Sequence, residues 1–461
     1  MSEPQSNAPS DQPARVLGGI DATCIVVGAI IGVGIFLNPG QVARLTNDGT
    51  LALTAWTAAG GIALCGALTF ASLGSRYNRN GAQYEALRDS YGPMPAFLFV
   101  FCNATAIQAG AVAVIAILCV QNLAVAAGAA APQGYRLVAS GALVIVGLIG
   151  ANILGVRWGS WIQNLTVLLK VLTLLVVTVL AVVATPSQTG APDPAVANTA
   201  GLGPFAAVLA ALVPCLFAYG GWQHSLWISG EVKNPERNLP RAIVGGVILV
   251  IIVYLLANWA YLRLLGLERV ASSQAIAADA VGVVWGDVGR RIIAAAVAVS
   301  AFGVLNAQLL SGPRLVYGMA RDGRFFSVFA RLSRFGTPTA AIVLIGGMAL
   351  LLLATVGGDG ADFLTIGAVF VDGIFFVLTG AAVFVLKRKL RSPRAESPTE
   401  SDGRPALRTI GYPIVPALFV VGELGVVIGA YMEPKYRAAA YLGVAWIIAA
   451  AILYLVCFRR R

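Results

Sequence analysis

The sequence predicts an all-α integral membrane protein of twelve transmembrane helices, two five-helix repeats of inverted topology followed by two C-terminal helices. Three observations predict it. Of the 461 residues, 58% are hydrophobic and only 11% charged, with a mean hydropathy of +0.80, against roughly 25% charged in a soluble domain. Twelve apolar segments each supply the roughly 20 residues that cross a hydrocarbon core. The first and sixth of these segments are interrupted by glycines at corresponding positions. The alternating polar strands of an outer-membrane barrel are missing from the pattern, so the spans are helices.

In chain order, residues 1–17 are polar and rich in Pro, Ser, Asn and Gln. They lack an apolar core ahead of a small-residue cleavage site and read as a disordered cytoplasmic tail, not a signal peptide. Spans follow near 18–45, 50–75, 95–126, 136–155 and 161–185, then 203–230, 240–265, 288–318, 339–357 and 362–386. Each set opens with a glycine-broken span and continues with four more. Because five is odd, the second set (203–387) enters the membrane from the side opposite to the first (18–185), which places a site at the midplane between halves. The connection Arg314 to Pro338 mixes arginines with Phe325, Phe326, Phe329 and Phe335 and suits a short interfacial helix. Residues 391–410, containing RSPRAESPTESDGRPALR, form a charged, Pro/Ser-rich cytoplasmic linker. The last two helices, near 412–431 and 438–458, occupy residues 411–458.

The net charge of +11 does not indicate nucleic acid, because the charges are sorted by side. With both termini inside, the cytoplasmic segments hold most of the 32 lysines and arginines, including Arg76, Arg79, Arg88, Arg237, Arg314, Arg321 and Lys387 to Lys389. The other side holds Arg44, Arg136, Arg263, Arg269, Arg290, Arg291, Lys435 and Arg437. This positive-inside bias fixes the orientation in a plasma (cell inner) membrane and favours contact with anionic lipid. All six cysteines (Cys24, Cys65, Cys102, Cys119, Cys215, Cys457) fall in apolar spans without metal-ligand spacing, so packing explains them. No cofactor is expected. An intramembrane enzyme is disfavoured: the chain has no HExxH, GxSxG or P-loop, and one histidine leaves little acid–base or metal chemistry. A pore is disfavoured too, because no polar ring repeats along the spans.

Glycine costs a helix interior about 1 kcal/mol relative to alanine, and non-helical backbone at membrane depth is tolerated only where it lines a cavity or is buried. The first break reads Gly28-Ala29-Ile30-Ile31-Gly32-Val33-Gly34. Unwinding at Gly32 to Gly34 frees the amides that open the second half-helix, where the positive dipole end can hold a carboxylate. The carbonyls closing the preceding half-helix suit an ammonium group. A GxxxG packing face from Gly28 to Gly32 is the competing reading. The second break, Phe217-Ala218-Tyr219-Gly220-Gly221-Trp222, offers carbonyls near Phe217 and Ala218 to the same ammonium, with Phe217 as a lid. A kinked, close-packed helix is its alternative.

The strings GAIIGVGIF and FAYGGWQHSLWISGEVKNPERNLPRAI resemble the amino acid-polyamine-organocation superfamily of transporters, most closely its L-type amino acid transporter branch, over roughly residues 15 to 458. The resemblance implies a LeuT-like fold of five-plus-five inverted repeats with two extra helices, moving amino acids by alternating access. It implies that Ile30, Gly32, Val33 and Gly34 face the substrate's carboxylate and amine, with Phe217, Ala218 and Gly220 opposite and Phe217 as the gate. Relatives often carry Ser or Ala where this chain has Val33, so backbone amides must hold the carboxylate and the pocket narrows. The heteromeric branch has a cysteine between helices 3 and 4 for a disulfide to a glycoprotein. Residues 126–136 have none, so no covalent partner is expected.

Lys170, deep in span 5, is costly unless it has a task. By the same resemblance it stands where sodium-coupled relatives bind an ion, which implies sodium-independent transport. It is expected to tether helix 5 to the unwound part of helix 1 and to gain and lose a proton, with a structural counter-ion or snorkelling role as the alternative. Asp372 in helix 10 is placed near the pocket by resemblance, or else holds helix 10 to a neighbour. Glu423, outside the repeat, reads as structural. His224 is either a proton relay or a satisfied buried histidine. The run Glu231 to Arg241 is expected to pair its charges with the arginines after helices 2 and 8 when an inner gate is shut. The reading that results is a sodium-independent exchanger of small or medium neutral L-amino acids in contact with membrane lipids. A proton-coupled symporter, a polyamine or cationic amino acid carrier, and a nutrient sensor on the same fold are its alternatives.

Overall fold

The computed structural model describes residues 15–32, 34–77, 79–130, 132–184, 203–273, 275–357, 361–391, 406–432 and 437–459. Among them the chain is all-α, and the only extended pairing is a parallel bridge between Leu17 and Val232. The first expected span is split into α1 (Gly19–Ile30) and α2 (Gly34–Thr46). Next comes α3 (Gly49–Arg76), capped by Asp48, whose carboxylate accepts from the Leu51 amide at 2.7 Å. The polar helix α4 (Ala82–Tyr91) lies between two glycines at positive φ, and no apolar stripe announces it in the sequence. The third span is α5 (Pro93–Cys102) and α6 (Gln108–Ala126), joined by a π-helical turn at Asn103–Ile107. Helices α7 (Gly134–Ile153) and α8 (Val156–Val183) complete the first set.

The sixth span is likewise broken, into α9 (Pro204–Tyr219) and the single turn α10 (His224–Trp227). It is followed by α11 (Pro235–Ser272), α12 (Ile276–Arg321), α13 (Thr339–Val356) and α14 (Ala361–Arg391), then α15 (Ile414–Met432) and α16 (Arg437–Cys457). Ten helices among the described residues are long and apolar enough to cross a membrane; Thr339–Thr355 and Ile414–Gly429 are shorter apolar helices. The protein is a multi-pass integral membrane protein. Its helices α11 and α12 outrun their apolar cores, with backbone kinks at Gly266 and Gly286.

The expected interfacial helix in the connection after Arg314 is corrected. There α12 runs on to Arg321 and only one 3-10 turn follows, at Ser327–Ala330. The cause is Phe325, which turns inward onto Phe97 and Phe458 at centroid distances of 6.0 and 5.8 Å instead of facing lipid. Leu17, the last residue of the expected tail, is buried and bridged to the far half. Residues 1–14 of the tail and 392–405 of the linker lie outside the described residues.

Burial follows the logic of a lipid solvent. Along α8, Leu168, Leu172, Leu175, Val179 and Val182 are exposed, while Lys170, Thr173 and Thr166 are buried. Hydroxyls on outer faces are satisfied within their own helix: Thr54 and Thr57 donate to Thr50 O and Leu53 O, both at 2.8 Å. In the interior α11 packs along α3 and α1, α12 along α6 and α8, and α9 against α2 and α3, whereas α14 pairs with α15 and α16. The two broken spans are thereby held side by side. All six cysteines are free.

Candidate functional site

The breaks touch each other through glycine. After α1 the Gly32 amide turns back onto Ile30 O at 2.7 Å, while Ile31 sits at φ −70, ψ 82, a tight inverse γ-turn. Helix α2 restarts at Gly34, and the amides of its first turn have no partner within the helix. A Cβ on Gly34 would stand 2.7 Å from Ala218 Cα. Across the interface Gly221 adopts φ 128, and a Cβ there would stand 2.7 Å from the Ala29 carbonyl. Only glycine takes both that dihedral and that approach. Each break is therefore a wall of the other.

Side chains from three further helices lock the pair. Tyr254 of α11, fully buried, donates its hydroxyl to Ile30 O at 2.8 Å and lies 3.3 Å from Ala218 O. Trp56 of α3 meets the Tyr219 and Tyr254 rings edge-on at 5.7 and 5.8 Å. Asn38 of α2 donates to Pro214 O of α9 at 2.6 Å. Lys170 of α8, 1% exposed, donates from Nζ to Gly28 O at 2.9 Å. That carbonyl lies in the last turn of α1, where the negative end of the helix dipole favours a cation.

The expected residues are distributed as follows. Ile30, Gly34, Ala218 and Gly220 lie within the paired breaks, Gly32 faces Val304 of α12, and Phe217 is half-buried beside them. Val33 lies outside the described residues. The carbonyls expected to be open in the second break are occupied: Phe217 O accepts the Gly220 amide at 3.2 Å and Ala218 O faces Tyr254. Asp372 stands on α14, whose Phe376, one turn on, stacks on Trp222 at 5.7 Å. Its Oδ1 is buried with no hydrogen-bond partner among the described residues, and Glu423 of α15 is its electrostatic neighbour. Sequence reasoning missed Tyr254, since a tyrosine in an apolar span carries no sign of what its hydroxyl meets.

A buried charged cluster joins α12 to the segment that follows α10. Arg314 of α12 and Glu231, each 1% exposed, pair at 2.7 Å, and Asn80 donates to the same carboxylate at 3.2 Å. The Gly230 amide donates to Asn80 Oδ1 at 2.9 Å, and Leu17 clips the strand beside it through Leu17 N to Glu231 O and Lys233 N to Leu17 O. Nearby on α10, His224 bonds through Nδ1 to Ser311 and packs on the Trp227 ring at 4.4 Å. Ser311 donates onward to Ala307 O, so the histidine is the donor to it.

A family model described as amino acid permease matches residues 17–458. The serine/threonine exchanger SteT of Bacillus subtilis is 28% identical over 414 residues, 89% of each chain. The b(0,+)-type amino acid transporter 1 of Oryctolagus cuniculus is 30% identical over 400 residues, 84% of this chain and 80% of its own. The large neutral amino acids transporter small subunit 2 of Homo sapiens is 30% identical over 458 residues, 94% of this chain and 81% of its own.

Proposed function

This chain belongs to the amino acid permease family, and from that premise we propose a sodium-independent exchanger of small or medium neutral L-amino acids, of the L-type branch, working by alternating access. The family makes it a secondary amino acid transporter of the amino acid-polyamine-organocation superfamily and not an enzyme. The contact between the breaks carries the reading. Two unwound segments, each pressed on the other at Gly34 and Gly221, leave the first-turn amides of α2 without a partner inside that helix for a carboxylate, while an ammonium reaches the helix-end carbonyls by displacing the Tyr254 hydroxyl that now spans Ile30 O and Ala218 O.

The proposed topology is five plus five with two extra helices: repeats at 18–185 and 203–387, a linker at 391–410 and the last pair within 411–458. The pairing of α3 with α11 and of α6 with α12, elements of equal rank in the two sets, supports it. Both termini are assigned to the cytoplasm of a plasma membrane from the distribution of arginines. Substrate-facing roles are assigned to Ile30, Gly32, Val33, Gly34, Phe217, Ala218 and Gly220, with Phe217 as gate. Lys170 fills the ion position with its own ammonium, and the relative named a serine/threonine exchanger supports exchange.

Counterflow tests this. Proteoliposomes preloaded with unlabelled serine should take up labelled neutral amino acid several times faster than empty ones, equally in sodium and in choline, and Lys170→Met should abolish the acceleration. Uptake that ignores the internal amino acid or requires sodium overturns the exchanger. A second reading, proton-coupled symport, is favoured by Asp372 and Glu423, two buried neighbouring carboxyl groups that cannot both be charged cheaply in the membrane. It requires a proton gradient to drive accumulation and Asp372→Asn to cancel it.

A further inference from the structure

The turn that follows the second break does not hold itself. Helix α10 is one turn long, and its amides reach back only three residues, His224 N to Gly221 O at 3.2 Å and Leu226 N to Gln223 O at 3.0 Å. A single turn is unfavourable by itself, so its place is set by what its side chains meet. His224 bonds to Ser311 of α12. Trp227, fully buried, is held twice by the segment that opens α4: its carbonyl accepts the Gly81 amide at 3.0 Å, and its indole Nε1 donates to Gln83 Oε1 at 2.8 Å. Gln83, also fully buried, donates in turn from Nε2 to Thr379 Oγ1 of α14 at 2.9 Å. Helix α4 gives that amide a fixed base. Tyr84 and Arg88 both donate to Asp322 at the end of α12 at 2.7 Å, and Tyr91 donates to Leu378 O of α14 at 2.8 Å.

We propose that Gln83 is a positioning residue for transport: its side-chain amide fixes α10 against α14 and thereby sets the approach of Gly221 to Ala29 across the paired breaks. The hydrogen bonds admit one orientation of that amide. An indole N–H only donates, so the amide carbonyl must face Trp227. The Thr379 hydroxyl gives its hydrogen to Phe375 O at 2.7 Å, so it accepts from the amide nitrogen. A carboxylate has no donor for Thr379, an ammonium has no acceptor for Trp227, and an aliphatic side chain has neither. The start of the same segment is registered on α14 by rings, with Trp222 stacked on Phe376 at 5.7 Å. Gly221 immediately precedes Trp222, so a displacement of α10 is passed to the contact with the Ala29 carbonyl. Gln83 acts through Trp227 and not on the substrate, and its role rests on the breaks being the substrate site.

The test is a double-mutant cycle on full-length protein, reading the KM for labelled serine in proteoliposomes and the melting temperature in detergent. Gln83→Leu leaves the Trp227 N–H unpaired, and Trp227→Phe leaves the Gln83 carbonyl unpaired. Each should lower the melting temperature and raise the KM about fivefold, the loss of one hydrogen bond. The double variant removes both partners, a change that is nearly neutral for stability. It should melt near the wild-type temperature and still show the raised KM, because the directional tie to α14 is gone. A double variant that regains the wild-type KM together with its stability, or single variants with an unchanged KM, overturn the positioning role. If Gln83→Leu does not fold, Thr379→Val cuts the same chain at its other end and carries the KM test, with an unchanged KM again overturning the role. Gly221→Ala with a wild-type KM overturns the breaks as the substrate site instead.

Discussion

The paired breaks and the Glu231–Arg314 closure are both buried, and both bring the segment around α10 against the rest of the bundle, yet they are built from opposite materials. The breaks use backbone: Gly34 against Ala218 and Gly221 against the Ala29 carbonyl, one tyrosine hydroxyl across two carbonyls, one lysine on a helix end. The closure uses side-chain charge, an arginine and a glutamate held by an asparagine. In the proposed exchanger, a midplane site for a zwitterion would draw on donors and acceptors that bring no net charge of their own, which unwound backbone supplies. If the ion pair is the gate of the proposed exchanger, it needs two arrangements of similar energy, which a buried pair that can part and rehydrate would supply.

Three substitutions break or sharpen that contrast. The largest effect belongs to the closure. Glu231→Gln leaves Arg314 buried without its counter-charge and should cost about 3–5 kcal/mol, read as a lower melting temperature in detergent. Glu231→Gln with Arg314→Met should recover most of the stability while leaving a cysteine introduced beside the pair reactive to thiol labelling. A double variant that is both stable and closed would show that the pair is packing and not a switch.

Next comes the backbone contact. Gly221→Ala forces a Cβ against the Ala29 carbonyl at a dihedral that alanine resists, costing about 2–4 kcal/mol and abolishing uptake. Wild-type uptake by folded Gly221→Ala would remove the breaks from the site. The smallest effect belongs to Tyr254→Phe, which deletes a single hydroxyl bridge and should cost about 1 kcal/mol. Uptake should fall severalfold, because the two breaks then move apart more freely. Unchanged uptake would make that tyrosine a spacer.

Much of the candidate site was legible because glycine and lysine are anomalies in an apolar span. Gly32, Gly34, Gly220 and Gly221 are poor helix formers where helix is obligatory, and Lys170 is a charge where charge is costly. Glu231 was readable as a partner for arginines through its mixed-sign surroundings, and Arg314 is the arginine it finds. Tyr254, the π-helical turn at Asn103–Ile107 and the polar helix α4 were not legible. None of them departs from the local pattern, and each acquires its meaning from a neighbour far away in sequence. Asp372, open between a place near the pocket and a helix-pairing role, and Glu423, read as structural, were read separately; the packing of α14 on α15 makes them electrostatic neighbours.

By itself the sequence determined that the chain lives in a membrane, where most of its long apolar helices run and which two of them break. Those properties are one-dimensional: length, hydropathy and the conformational cost of glycine are summed along the chain. The tertiary structure alone decided what the failures face. Which carbonyl Lys170 reaches, which hydroxyl spans the breaks and which arginine Glu231 meets depend on the rotation and register of one helix against another. Many local sequences tolerate several registers, and only the packing of the whole bundle selects one.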